Sequence, residues 1–453
     1  MPASDEITQA LQPFWIATGS TPTPTISLGD HSPNDRSAFR TSVAASASTA
    51  AVVAAVAERQ GIDPPAVDPS LALAGSTTHT TVDGEAMPKW ASLSGVYTTA
   101  DQRFIQLHCN FDHHGAGAAR RLGVEQDRSA FEQAVSTWRA EELEAALIND
   151  GMIAAMCRTM NEWSQHPHAI ATKDLPLVSV DPLGPAGSAP AGRTVVLPDA
   201  PLAGVRVVDC SRVLAGPVAG QTLANLGADV LRVGAEHLPS VDICVVATGT
   251  GKRNAYVDLR SADGRETFMR LIRDADIVID AFRPGALEQY GFGPDEIAAL
   301  SPTTSVVQVC AFDWVGPWAG RRGFDSIVQS TTGIAMAGAE MSGSKAPAPL
   351  PVQVLDYATG LFAAASAIRA VTGVQQGGSA TATKLSLLRT RNWLVGLGGP
   401  NSFEPGPIAP TFDQLQRIDS PFGLVELVKP FAGGWRWGPQ PLGSSKAEWA
   451  TER

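Results

Sequence analysis

Cysteine is scarce and unpatterned. The chain of 453 residues has five (Cys109, Cys157, Cys210, Cys244 and Cys310), an odd number with no CxxC. That argues against a disulfide framework or a cysteine-based metal site and fits reduced thiols. Basic charge is in deficit, with 34 Lys and Arg against 45 Asp and Glu and a net charge of −11. Nucleic acid wants a basic face, so it is excluded as a main partner, whereas a small anion held by a local basic cluster is not. No basic leader precedes an apolar run, since the chain opens MPASDEITQALQPF. The longest small-apolar stretch, SVAASASTAAVVAAVAER, reads as too polar and too short to cross a bilayer. The expectation is a soluble cytoplasmic protein with no membrane partner.

Familiar site motifs are missing as well. ATGTGKRN (247–254) has Val246 and Arg253 where a phosphate loop needs Gly and Ser or Thr. The first strand-to-helix turn, DCSRVLAGP, lacks GxGxxG, and no GxSxG elbow occurs anywhere. His108, Asp112, His113, His114, His166 and His168 cluster loosely but show no HExxH spacing, so no metal is expected.

Strand and helix patterns alternate from residue 204 onward. VRVVDC reads as a strand, Pro217 to Leu226 as a helix and ADVLRV as a strand. GRETFMRLIRDA (helix), DIVIDAF (strand), DEIAALS (helix) and TSVVQVCAF (strand) follow. This rhythm predicts an α/β fold with a doubly wound, mostly parallel, Rossmann-like sheet, joined to a smaller α+β domain. The expected organisation is an Ala-rich helical segment over 1–80, a small α+β domain over 81–180 and a Pro- and Gly-rich linker over 181–203. The α/β domain follows over 204–395, and a surface-wrapping extension covers 396–453. A weak internal echo pairs the Ala-rich helix before Gly61 with the one before Gly373, setting Ala44 opposite Asp356.

Two features could carry chemistry. Lys252 and Arg253 lie on a glycine-rich turn, with Arg232 and Arg283 at neighbouring strand ends, where parallel sheets hold phosphates. The alternative is a set of solvated surface charges. Asp356 is the lone carboxylate between Glu340 and Glu404, placed where a β-like apolar run (Val352, Val354, Leu355) meets an Ala-rich helix. It reads either as a helix cap or as a nucleophile beside backbone N–H groups that can stabilise an oxyanion.

PLAGVRVVDCSRVLAGPVAGQTLANLGADVLRV, GKRNAYVDLRSADGRE, DADIVIDAFRPGALEQYGFG, GPWAGRRGFDSIVQSTTG and LDYATGLFAAASAI together resemble consecutive signatures of the family III CoA-transferases, the CaiB/BaiF group. The resemblance covers about 201–391. It implies coenzyme A and acyl-CoA as substrates, a small carboxylic acid as acceptor, no permanently bound cofactor and an interlocked homodimer. It also implies that Asp356 is the nucleophile, passing through an aspartyl anhydride and an aspartyl-CoA thioester. CoA contacts carry over to Arg212, Leu214 and Ala215, to Lys252 and Arg253, and to Arg283. The family's α-methylacyl-CoA racemases place a histidine where this chain has Phe324, which moves weight toward transfer. Racemisation, or a catalytically silent CoA-binding subunit, remain the alternatives. The silent reading is motivated by Gly234, which stands where the family has an acid, and by domain order. YTTADQRFIQLHCNF, NDGMIAAMCRTMNEWSQHPHA and LPLVSV resemble the family's smaller domain, which normally follows the CoA-binding half and here precedes it. The closing segment, SPFGLVELVKP with WGPQPLGSSKAEW, resembles the family's C-terminus.

Overall fold

Short runs of Val, Ile and Leu, buried along nearly their whole length, build the central element. Such runs suit a parallel sheet covered on both faces. The computed structural model describes residues 3–19, 22–29, 35–185, 194–400 and 403–450. Its large sheet comprises β1 (Ser179–Pro182), β2 (Arg206–Cys210), β3 (Asp229–Gly234), β4 (Arg253–Tyr256), β5 (Ile277–Asp280), β6 (Ser305–Cys310) and β7 (Thr381–Ser386). The spatial order is β4-β3-β2-β5-β6-β7-β1. Every neighbour is parallel except β1, which runs antiparallel to β7. Strand order reverses between β2 and β5, and at such a switch point the crevice beyond the strands' carboxyl ends is where ligands bind.

The helices that matter here are α1 (Ala3–Ala17), α2 (Thr41–Gln60), α3 (Ala215–Asn225), α4 (Ala262–Arg273), α5 (Asp325–Thr331) and α6 (Val354–Gln375). Val207, Val230, Ile277 and Val307 point to one side of the sheet, into a cluster shared with α1, α2, α3 and α6. Val208, Leu231, Val278 and Val306 point to the other side, onto Phe268, Leu271 and Ile272 of α4. The mixed α/β expectation with a large, mostly parallel sheet is borne out. By length and composition both α2 and α6 could cross a bilayer, which corrects the reading of 42–59 as too short and polar. In the fold, 89% and 78% of their apolar windows are buried. Alanines dominate both helices, and small side chains let them pack closely.

Local signals account for several boundaries. Gly61 closes α2 in the left-handed conformation at φ 67°, as a C-terminal glycine should. Gly373 lies inside α6, with the left-handed turn at Gly377 instead. The stretch before α6 is irregular rather than a strand. Pro347, Pro349 and Pro351 deny it ladder hydrogen bonds, although Leu350 and Val352 are buried.

Gly95–Thr98, Phe104–Leu107 and Ala154–Met156 form a small antiparallel sheet over Phe131, Leu143 and Leu147. GVYTTADQRFIQL, with alternating apolar positions on either side of Ala100 and Asp101, thus folds as a hairpin. The Pro- and Gly-rich stretch 181–203 begins inside β1 and ends in the hairpin Val195–Leu197 and Ala200–Ala203, while 186–193 lies outside the described residues. Near the C-terminus, Gly423–Val428 pairs with both Leu415–Ser420 and Thr80–Val82. The chain then runs along β4, where the Ser445 N–H donates to the Asn254 carbonyl at 2.8 Å, shielding an edge strand.

Candidate active site

Asp356 sits in the first turn of α6 and is 5% exposed. It is not the capping residue; Gln353 holds that position and makes no side-chain cap. The cap is supplied from α5 instead, because the Asp325 carboxylate accepts the Asp356 N–H at 3.0 Å. Gln329 orients Asp325 through its amide, and its own carbonyl accepts the Leu350 N–H at 2.7 Å. With its backbone N–H engaged by Asp325, the Asp356 carboxylate is left facing α3, where the Ala215 N–H favours its charged form. Burial and the neighbouring Asp325 charge hold the Asp356 carboxyl well above the ordinary aspartate range. Burial also pushes Asp325 up, to about 6.

Glycine makes this approach possible. Gly360 lies one turn beyond Asp356, where a Cβ would overlap the Ala215 carbonyl and the Val218 side chain. Upstream, Val213 occupies the left-handed region at φ 72°. For a β-branched residue that costs on the order of 1–3 kcal/mol, strain of a kind found at functional sites. The bend separates Arg212 from Leu214 and Ala215, so that Arg212 lines the outer crevice while Leu214 lines the Asp356 void.

Four voids meet at this turn. One of about 770 Å³ holds Gly234, His237, Arg260, Arg283 and Tyr290. A second, about 1030 Å³, adds Phe111, His113, Arg322 and Phe324. A third, about 380 Å³, is walled by Arg232, Lys252 and Asn254. Arg212 borders all three. Val213 and Phe324 line both the second void and a fourth, small one bordered by Asp356. Adjoining voids thus mark a path from the switch-point crevice toward the buried carboxylate, with Val213 and Phe324 as the wall between the last two.

The path is basic. Burial lowers the Arg212 guanidinium's pKa, and the charges of Arg232, Arg283 and Arg322 lower it further. Arg232 is buried, and among the described residues none of Arg212, Arg232, Arg283 and Arg322 has an ion-pair partner. Clustered, unneutralised guanidiniums are a receptor for phosphate groups. Gly234 contributes by omission, since no carboxylate there neutralises Arg232.

Among the sequence-derived candidates, Arg212, Leu214, Ala215, Arg232, Arg283 and Asp356 come together along this path. Lys252 and Arg253 are differently engaged. Lys252 is fully buried, donating to Asp209 at 3.0 Å and to the Pro217 carbonyl at 3.2 Å. Arg253 binds Asp229 through Nε and Nη2 and donates from Nη1 to the Glu448 carbonyl at 2.8 Å. Arg322, Asp325 and His108 were missed. The first two lie in GRRGFD, where Phe324 drew attention as a replacement, and His108 read as a surface histidine. In the fold His108 is buried and stacks on Phe324 at 4.1 Å, with Nδ1 unpartnered. Burial lowers its pKa to about 4, so it is neutral at pH 7.

Comparison with known proteins gives consistent matches. Residues 202–408 match the family described as CoA-transferase family III. An acetyl-coenzyme A transferase, nodX, of Hypoxylon pulicicidum is 28% identical over 324 residues, covering 67% of this chain and 54% of that protein. The succinate–glutarate CoA-transferase of Agrobacterium fabrum is 32% identical over 206 residues, covering 42% and 51%. Among solved structures, Rv3272 of Mycobacterium tuberculosis is 31% identical, with a TM-score of 0.38 over 44% of this chain and 56% of that one. A CaiB/BaiF family protein from Brucella suis is 27% identical, with a TM-score of 0.36 over 49% and 64%. The chain spans about half the length of the curated relatives it matches.

Proposed function

Starting from the match of residues 202–408 to CoA-transferase family III, we propose that this chain transfers coenzyme A from an acyl-CoA to a carboxylic acid, with Asp356 as nucleophile. The Asp356 carboxylate attacks the thioester carbonyl, the C–S bond breaks, and a mixed anhydride and CoA thiolate form. The thiolate then attacks the Asp356 carbonyl of the anhydride, releasing the donor acid and leaving an aspartyl-CoA thioester. The acceptor carboxylate attacks that thioester, expelling thiolate and forming a second anhydride. Thiolate attack on the acceptor-derived carbonyl gives the new acyl-CoA and restores Asp356. Each step exchanges one leaving group for one nucleophile, so no outside reductant or proton source is needed.

One observation carries the reading: four arginines without ion-pair partners line voids that adjoin the one beside a buried aspartate. Arg212, Arg232, Arg283 and Arg322 hold the phosphates of CoA in the crevice of a doubly wound, Rossmann-like sheet. The thioester then reaches past Val213 and Phe324 to Asp356. The Ala215 N–H, which favours the charged carboxylate, stabilises the tetrahedral oxyanions. Desolvation keeps the nucleophile free of water, the competing acceptor. The names of the relatives, which act on acetyl-CoA or on succinate and glutarate, support a carboxylic acid acceptor. A homodimer, the assembly the resemblance implies, belongs to the same proposal and is checked by sedimentation.

The test is covalent. The protein is incubated with a panel of acyl-CoAs and trapped with hydroxylamine or borohydride, and the peptide bearing Asp356 is weighed by mass spectrometry. Asp356→Asn and Asp356→Ala should lose both adduct and exchange; undiminished turnover in either refutes the assignment. A second reading, racemisation at the carbon α to the thioester, is favoured by His108, which lines the same void as Asp356. Deuterium entering that carbon from solvent without any acceptor acid would select it.

A further inference from the structure

The loop that carries Arg283 is bracketed by two acids. Asp280 closes β5 on one side, and Glu288 opens the short turn Glu288–Tyr290 on the other. Arg283, between them, lines two of the crevice voids. A single side chain from the neighbouring strand β6 meets both acids. Gln308 Nε2 donates to Asp280 Oδ2 and to Glu288 Oε1, each at 3.4 Å. Asp280 Oδ1 accepts the Phe282 N–H at 3.2 Å, which ties it to the first residues of the loop. Asp280 and Gln308 are buried, and Glu288 is half-buried.

Donors and acceptors do not balance in this cluster. The Phe282 N–H and the Gln308 amide serve both Asp280 oxygens and one oxygen of Glu288. Glu288 Oε2 and Gln308 Oε1 stay buried without a partner. Among the described residues neither acid has an ion-pair partner. The titratable groups facing the pair from adjoining strands are Cys210 on β2 and Cys310 on β6, and burial keeps both thiols neutral. A proton held by one of the acids supplies a missing donor and removes one of two like charges. Burial, and after it the Glu288 charge, raise the Asp280 carboxyl to about 7.

We propose that Asp280 and Glu288 share a proton that fastens the Arg283 loop, and that losing it weakens the hold on CoA. This rests on the reading above that Arg283 binds phosphate. With the proton in place, both acids close on Gln308 and Arg283 faces the crevice. Once the proton passes to solvent, two buried carboxylates repel each other across one amide. Glu288, the less buried of the two, moves toward water and draws the loop with it. The loop has room to yield, since a Cβ on Gly285 would meet no atom within 4 Å. Both acids are thus positioning residues that act through Arg283. In the opened loop Asp280 is solvated and returns toward its ordinary value near 4. The closed loop binds the proton more tightly, so CoA affinity falls as pH rises toward 7 and levels off above it.

The experiment titrates the full chain with free CoA by calorimetry between pH 5.5 and pH 8. The phosphate monoester of CoA itself titrates near 6, but it does so for every variant. Affinities are therefore compared with those of Asp280→Asn, which keeps an acceptor oxygen, adds a donor and cannot ionise. Relative to that variant, the wild-type protein should lose affinity about tenfold or more across the range. At pH 6.5 it should also take up more protons on binding, as read in two buffers of different ionisation heat. Glu288→Gln should shrink the loss and bring the levelling-off to lower pH, and it serves as the reference if Asp280→Asn does not fold. A relative affinity that stays constant with pH, or no extra proton uptake, overturns the shared proton. If Arg283→Gln leaves CoA affinity unchanged at every pH, it is the phosphate reading that fails, and this variant tells the two failures apart.

Discussion

Asp356→Asn should make the protein more stable at neutral pH while removing its activity. The carboxyl is buried, faces the Asp325 charge and is held well above the ordinary aspartate range. The folded protein thus binds this proton more tightly than the unfolded chain does. Between the two pKa values folding takes up a proton, so stability falls as pH rises through that window, and the cost is fully present above it. Below the unfolded value, near 4, it vanishes. Each pH unit by which the folded protein raises this carboxyl corresponds to about 1.4 kcal/mol. Unfolding entropy for a chain of 453 residues is about 1 kcal/mol per degree, so Tm should rise by about 1 °C for each kcal/mol released. Asparagine keeps an acceptor oxygen for the Ala215 N–H and removes only the charge. Scanning calorimetry of both proteins at pH 7.5 and pH 4 measures the difference. A variant that is less stable at pH 7.5, or equally shifted at both pH values, refutes the reasoning.

Three other outcomes are expected. Gly360→Ala should cost about 1–3 kcal/mol by overpacking against Ala215 and Val218, and it should lower kcat more than KM, as denaturant titration and steady-state kinetics will register. Lys252→Met should destabilise by about 3–5 kcal/mol because it strands the buried Asp209 charge; adding Asp209→Leu should recover part of that loss in urea unfolding. Arg212→Gln should raise the KM for acyl-CoA tenfold or more with little effect on folding, since Arg212 borders three voids, and that increase should shrink in high salt if it is phosphate-borne.

Much of the sheet was legible because parallel strands buried on both faces are written as unbroken Val and Ile runs. Asp356 was legible as an isolated acid at a helix start. Its partners were not. Asp325 lies far away in sequence, and nothing local shows that its carboxylate caps another helix. His108 looked like surface because the rings that cover it, Trp90 and Phe324, come from elsewhere in the chain. Lys252 resembled a phosphate ligand by spacing alone; Asp209 claims it through a contact between separate strands. The irregular run before α6 was misread since Val and Leu favour strands, while the three prolines that forbid one sit at alternate positions.

The packing of α2 on α6 has a consequence during synthesis. Nearly 300 residues separate Gln60 from Val354, so an Ala- and Val-rich helix leaves the ribosome long before the helix that covers it. At about 5–20 residues per second the interval is tens of seconds. Throughout that time α2 is an apolar surface in search of a partner, and nascent chains on one message could offer it the wrong one. Slower translation lengthens this exposure, so soluble yield should fall when codons between residues 60 and 354 are made rare and recover when a holdase chaperone is co-expressed.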